Sequence, residues 1–358
     1  MDFLPVLCYN YGNKMSKNRG RNMKDGKIRS AHIGMKFGMA HVEGAMSYGA
    51  DIAAICDCDP ENLKFAGERY GIGEEKRIAD YRDILKDDSI DIVTVAVPDQ
   101  QHREISCELL KAGKNVLCEK PLALTREDCV QIVKAQRESS AKFMVGQICR
   151  FTPAFEKAKE LIDSGAIGEI YFAESEYAHD YMTFLESWRA DPLRHGVVGG
   201  GCHAVDLLRW LVGDPKEVFA YGMHKLLPMV DYDDATIAIM KFDRDVAGKI
   251  FVSTGCKRDY TMRTLVYGTK GTIICDNTSP TMTLFTVDEN GVTREPETIE
   301  VELNNHNAAK EFAVFADAII NGRPVMTDAV EGAKTVEVCR KIVESAETGK
   351  ILVPDYNF

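Results

Sequence analysis

Asn115-Val116-Leu117-Cys118-Glu119-Lys120-Pro121-Leu122-Ala123-Leu124-Thr125 runs from a short apolar strand into the start of a helix. Pro121 has no amide hydrogen to give and stops the ladder. Thr125 caps the next helix, whose first turn carries Arg126, Glu127 and Asp128. A strand this uniformly apolar belongs in a buried parallel sheet, and such sheets meet their ligands at the carboxyl ends of their strands. Lys120 stands at such an end. An ammonium there reads either as a solvated residue in a strand–helix turn or as a group that touches a hydroxyl or carbonyl under oxidation or reduction.

Working outward, the same rhythm repeats. Apolar runs at Ala31–Gly34, Ile52–Cys56, Ile92–Val97, Val116–Cys118 and Phe143–Ile148 alternate with helix-period segments at Glu61–Tyr70, Glu104–Ala112 and Glu127–Glu138. Short apolar strands separated by helices of this length predict crossover units, and so a doubly wound parallel α/β domain over 28–150. After Arg150 the rhythm changes. One helix at Ala154–Ser164 leads to a strand at Glu169–Tyr177 and a helix at His203–Val212. Longer alternating strands follow at Thr236–Phe242, Gly248–Thr254, Arg263–Tyr267, Thr272–Asp276 and Thr281–Phe285, then helices at Ala308–Ile320 and Ala329–Thr348. The tight turns between some of these strands predict antiparallel pairing in a second domain over 151–358.

A chain of 358 residues suits two domains, and its 45% hydrophobic and 28% charged content is that of a globular protein. The net charge of −11 argues against nucleic acid or an anionic membrane surface as partner. No apolar run approaches the roughly 20 residues of a membrane span. Eleven cysteines include no Cys-x-x-Cys pair, so neither a zinc ribbon nor a redox dithiol is expected, and no metal site; Cys56, Cys118, Cys149 and Cys275 fall in expected strands as small buried groups. A reducing cytoplasm is the simple reading. Residues 1–27, basic and without periodicity, read as a disordered tail or an over-extended start, with Met15 or Met23 as other beginnings.

Several residues carry chemistry. Gly34-Met35-Lys36-Phe37-Gly38 joins the first strand to the first helix, where glycine lets a backbone approach a dinucleotide pyrophosphate. The spacing is G-x-x-x-G, with Lys36 near the place of the middle glycine of the usual G-x-G-x-x-G. Asp57 ends the second strand, where an acid receives the adenosine ribose hydroxyls and repels a 2′-phosphate; Asp59 before Pro60 serves as the helix cap. NAD is therefore expected in preference to NADP. Pro98, closing the strand at Ile92–Val97, and His102 in the following helical turn lie on a loop expected to line the cofactor's far end, though packing at the helix start is the favoured reading of His102 taken alone. Gly199-Gly200-Gly201-Cys202-His203 puts His203 in the first turn of a helix, where the dipole favours the neutral imidazole a general base needs. It could instead be satisfied by Asp206 on the same face.

In this order, His41 after the glycine turn, Asp57, Pro98 with His102, Glu119-Lys120-Pro121, Arg150-Phe151-x-Pro153, Gly168-Glu169-Ile170, Trp188-Arg189 and Gly-Gly…His203-x-x-Asp206 resemble the Gfo/Idh/MocA oxidoreductases, a family that includes inositol dehydrogenase and glucose–fructose oxidoreductase. The resemblance spans about residues 28–353. It implies a Rossmann domain, a second α/β domain with an open, mostly antiparallel sheet, and NAD(P) between them. It implies that Lys120 binds the reacting hydroxyl and His203 takes its proton. By the same resemblance Glu119, Trp188 and Arg189 lie near the cofactor, and Tyr177, His179 and Arg150 near the substrate. Many members carry an aspartate four residues before the histidine, and here that residue is Gly199. His203 then acts alone or uses Asp206, His195 or His179.

The leading expectation is an NAD-dependent dehydrogenase of a sugar, polyol or related cyclic hydroxyl compound, as a homodimer or homotetramer. A redox lyase or glycosidase with retained, recycled NAD and a nucleotide-sensing regulator without activity are the alternatives.

Overall fold

The computed structural model describes residues 27–358 apart from 184 and 186, so the expected tail falls outside the described residues except for Lys27. The first half winds as β1 (Arg29–Ile33), α1 (Met35–Tyr48), β2 (Asp51–Cys56), α2 (Pro60–Tyr70), β3 (Arg77–Ile78), α3 (Arg82–Leu85), β4 (Ile92–Val95), α4 (His102–Lys111), β5 (Asn115–Glu119), α5 (Arg126–Glu138) and β6 (Phe143–Gly146). Its six strands pair in parallel in the order β3-β2-β1-β4-β5-β6. The order reverses between β1 and β4, which places the crevice for a nucleotide at their carboxyl ends. Asp59 caps α2 by accepting from the Glu61 amide, with Pro60 in the first turn, and Thr125 caps α5 through the Asp128 amide.

The second half holds α6 (Pro153–Asp163), β7 (Ile170–Ala178), α7 (Gly196–Gly199), α8 (Cys202–Val212), β8 (Glu217–Met223), β9 (Ala235–Lys241), β10 (Ala247–Ser253), β11 (Arg263–Gly268), β12 (Gly271–Asp276), β13 (Thr281–Thr286), β14 (Glu297–Glu300), α9 (Ala308–Ile320) and α10 (Ala329–Thr348). Eight strands form a sheet in the order β14-β13-β12-β11-β7-β10-β9-β8, antiparallel except where β7 meets β10. The sheet is the open, mostly antiparallel one expected. Three edge strands, β3, β8 and β14, are additional to the sequence reading. Cys149 lies in a short 3-10 turn after β6 rather than in a strand.

The two final helices tie the halves together. Phe312 and Phe315 of α9 join Val42 of α1 and Leu63 of α2 in the core on one face of the parallel sheet. On the other face Ala333 and Val336 of α10 pack with Leu109 and Ile132. Further along the same helix, Cys339 and Ile342 enter the core of the antiparallel sheet beside Phe155 and Leu208. A single 20-residue helix thus fixes one core against the other and holds the cleft between them.

Candidate active site

Gly34 takes φ 90°, and a Cβ there would collide with the Ala96 carbonyl. Only glycine lets the first turn pass this close to the end of β4. Helix α1 then starts with no side-chain cap from Gly34 and no acid within its own first turn, and Lys36 stands on that turn. Asp57 is oriented by two backbone amides: Oδ2 accepts from Met35 N at 2.7 Å and Oδ1 from Asp59 N at 2.9 Å. Phe37, exposed on α1, meets the edge of the Trp188 ring at 6.3 Å. The Arg189 guanidinium lies 4.5 Å over Phe37 and 4.4 Å over Trp188. Gln100 Nε2, in the loop after Pro98, donates to Trp188 O at 3.0 Å. The glycine turn, the Pro98 loop and the Trp188-Arg189 segment therefore meet across the mouth of the cleft.

Lys120 follows β5 and makes a cis peptide with Pro121. Its Nζ reaches the Gly199 carbonyl at 3.4 Å, so a strand end of the first sheet touches the turn before α8. Burial opposes the charge, but Cys202, Glu119 and Tyr181 outweigh it and raise the lysine pKa, leaving an ammonium at neutral pH. Glu119 accepts from His41 Nε2 at 2.8 Å and from the Lys120 amide at 3.2 Å. Burial pushes the Glu119 carboxyl up, but His41 and then Lys120 bring it down to about 2. Behind this pair lies Glu311 of α9, fully buried with no hydrogen-bond partner for either oxygen, and His41 Nδ1 is buried and unpartnered too. Burial raises the Glu311 pKa to about 8.

His203 sits in the first turn of α8, buried, its ring stacked on Tyr177 at 5.9 Å. Burial first, then the fields of Lys120, His306 and His179, hold its pKa well below the usual value. The imidazole is neutral near pH 7. Its Nδ1 lies 3.1 Å from Cys149 Sγ, which in turn donates to Met262 Sδ at 3.5 Å. Asp206 is not the partner: it accepts two hydrogen bonds from Arg150, Nε at 2.7 Å and Nη2 at 2.8 Å, in a fully buried pair. His195 is occupied as the cap of α7, accepting from Val197 N. His179 bonds Tyr177 Oη at 3.2 Å, and Tyr177 Oη meets Tyr181 Oη at 2.9 Å. Tyr260 lies 4.6 Å from the His179 ring and bonds His306 Nε2 at 3.3 Å.

Tyr177, His179, Lys120 and His203 are thus brought together, while two expected site residues are committed elsewhere. The Arg150 fork is taken up by Asp206, with Glu331 at 3.7 Å, because a buried guanidinium needs a buried carboxylate beside it. His102 is fully buried and directs Nδ1 at Pro121 O (2.8 Å) and Nε2 at Val97 O (3.1 Å). Two carbonyl partners require both ring nitrogens to donate, so the ring is an imidazolium. Burial opposes this, but Cys118, Asp99 and the Pro121 carbonyl outweigh it and raise its pKa to about 10. His102 pins the loop that carries Lys120 rather than lining the cofactor. Cys149, Met262, Tyr181, Tyr260, His306, Arg194 and Glu311 were not legible as site residues. They come from loops and helices far apart in the chain, Glu311 from behind the His41–Glu119 pair, and no local spacing marks them.

A parallel sheet with an open glycine turn at its switch point, an ammonium and a neutral buried imidazole in the adjoining cleft define an oxidoreductase of the dinucleotide-binding class. Residues 28–147 match the oxidoreductase family with an NAD-binding Rossmann fold, and residues 155–274 match the GFO/IDH/MocA C-terminal domain. The chain belongs to the Gfo/Idh/MocA family. It is 27% identical over 295 residues to levoglucosan dehydrogenase of Pseudarthrobacter phenanthrenivorans, covering 71% of this chain and 73% of that one. It is 29% identical over 280 residues to myo-inositol 2-dehydrogenase of Thermotoga maritima, covering 74% and 79%. Among solved structures, a levoglucosan dehydrogenase in complex with NADH superimposes with a TM-score of 0.84 at 24% identity, over 92% of this chain and 99% of that one. Among the described residues no helix is long and apolar enough to cross a membrane.

Proposed function

We propose that the protein is an NAD-dependent dehydrogenase that oxidises a secondary hydroxyl of a sugar, polyol or related cyclic compound. The observation that carries this reading is the meeting of Lys120 with the His203 turn: an ammonium from one sheet and a neutral buried imidazole from the other side of the cleft. The relatives named as levoglucosan, inositol and apiose dehydrogenases support a carbohydrate substrate. The division into a cofactor-binding part over 28–150 and a substrate and assembly part over 151–358 belongs to the same proposal. So does a homodimer or homotetramer, whose surface would be the open sheet face bearing the exposed Tyr221 and Ile239.

Gly34, Gly38, Lys36 and the start of α1 would hold the pyrophosphate, Asp57 the ribose hydroxyls, and Phe37, Trp188 and Arg189 the outer edge. Pro98 and Glu119 shape the walls of the same crevice. The bound nicotinamide supplies a hydride acceptor. In the substrate, the reacting hydroxyl sits between Lys120 Nζ and His203. Cys149 orients the imidazole: with its S–H given to Met262 Sδ, the sulfur accepts from Nδ1–H, and Nε2 is the nitrogen left to take the hydroxyl proton. As the proton leaves, Lys120 stabilises the developing alkoxide. Tyr177 and His179 face the substrate ring. Asp57 makes NAD the expected cofactor over NADP.

The test is NADH formation by the purified protein on a panel of sugars, polyols and their acids, with NAD and NADP offered separately. Turnover with released NADH supports the proposal. Substrate consumption with no NADH released points to the recycling lyase, and cofactor binding without any turnover points to the regulator.

A further inference from the structure

Position 199, where many family members carry an aspartate, is occupied here in a different sense. A Cβ on Gly199 would overlap the Nη1 and Cζ atoms of Arg194. The space that a side chain at this position would fill, one helical turn before His203, holds a guanidinium. A side chain at position 199 and the Arg194 guanidinium in its present place are therefore mutually exclusive.

The guanidinium is held rigidly and left incomplete. Arg194 is buried; Nε donates to Asp99 Oδ2 at 2.8 Å, Nη2 reaches the Gly199 carbonyl at 3.4 Å, and the Trp188 ring lies 5.0 Å from Cζ. Lys120 Nζ approaches the same Gly199 carbonyl, also at 3.4 Å, so the two cations converge on one atom. Nη1 is buried with no hydrogen-bond partner. A buried donor left unmade is costly, and one on a charged group more so. The carboxylates of Asp99 and Glu119 are already engaged, by Arg194 and His41. A protein of net charge −11 has gathered positive charge in its reaction cleft.

We propose that Arg194 Nη1 receives a carboxylate of the substrate, so that the compound oxidised is a sugar acid or other polyhydroxy carboxylate rather than a neutral polyol. This inference rests on the dehydrogenase reading above and refines it. A guanidinium suits the role because its planar fork presents a charged donor in a fixed direction. Bound there, the carboxylate lies beside Lys120 and His203 and places a neighbouring hydroxyl between them. A neutral substrate offers Nη1 only a hydroxyl oxygen, a weaker partner for a charged donor than a carboxylate.

Matched pairs decide the matter: gluconate against glucitol, galactonate against galactitol, glucuronate against glucose. The wild type is expected to favour the acid of at least one pair in kcat/KM by about 10–100-fold, the range of a charge-assisted hydrogen bond made only to the anion. In R194Q/D99N, which removes the guanidinium without leaving a buried carboxylate alone, that ratio should fall toward one. Calorimetric titration of the NADH-loaded protein with the same acids reads binding independently of chemistry, and the acid-selective heat should vanish in the double variant. Neutral members preferred in every pair, or an acid preference that survives in R194Q/D99N, overturns the inference and leaves the dehydrogenase reading standing. If no pair yields NADH, the dehydrogenase reading fails. The titration then speaks alone: acid-selective binding lost in the variant supports the carboxylate site, and no selective binding removes it.

Discussion

Replacing Glu311 by glutamine should change how the stability of this protein depends on pH. The Glu311 carboxyl is fully buried, neither oxygen has a hydrogen-bond partner, and burial raises its pKa from 4.5 to about 8. The folded state therefore keeps a proton that the unfolded chain releases between these two values. Stability from this group is fully present below about pH 4.5 and is lost as the pH rises through about 8. At 1.36 kcal/mol per pK unit, the loss between pH 5 and pH 8 is about 3–4 kcal/mol. Glu311→Gln keeps the shape and cannot ionise, so its stability relative to the wild type should climb by about that amount over the same interval. The protonated acid also lies against the His41–Glu119 pair that adjoins Lys120. Urea unfolding of both proteins at half-unit steps from pH 5 to pH 8 is the assay. A stability difference that stays constant across the interval would mean that Glu311 is not held protonated, and the reasoning would fail.

Other consequences follow from single contacts. Asp57→Ala should weaken NAD binding and narrow its advantage over NADP, measured by calorimetry; tighter NADP binding by the wild type would reverse the assignment. Cys149→Ala should lower kcat about tenfold or more by freeing the His203 ring, with little change in NAD affinity, and Cys149→Ser should recover part of it; equal kcat in all three proteins would remove the sulfur from the mechanism. Arg150→Met leaves Asp206 with Thr335 Oγ1 at 3.0 Å and Arg209 at 3.9 Å but without its two-pronged partner, and should cost about 3–5 kcal/mol, part of it regained in Arg150→Met/Asp206→Leu. If denaturant unfolding showed the double variant as unstable as the single, the loss would not come from the carboxylate left behind.

The parallel half of the fold was legible because each of its features is local. Apolar runs of three to six residues, Thr125 and Asp59 as caps and glycine at the helix ends are patterns within one element, and they placed five of the six parallel strands to within two residues. Strands β3, β8 and β14 were missed because edge strands carry little burial to print an apolar signature. The site was legible where it hangs on strand ends and helix starts, as with Lys120, Asp57 and His203. Residues that act through space were not. Arg150 and His102 looked like ligand contacts, but each has a buried partner that only the tertiary structure supplies: Asp206 for one, two loop carbonyls for the other. Cys149 looked like a small core residue and turned out to face His203 Nδ1. Gly199 registered only as a missing acid, because nothing in its neighbourhood says that Arg194, five residues earlier, fills the space.

The central claim is that Lys120 acts on the reacting oxygen. Lys120→Met keeps much of the stem and removes the charge, so it should fold, and it should bind NAD within a few-fold of the wild type. Single-turnover NADH formation on the best substrate of the panel should nevertheless fall by about 10²–10³, the usual loss when one charged stabiliser of an oxyanion is removed. A Lys120→Met protein that binds NAD normally and forms NADH at near the wild-type rate would contradict the account.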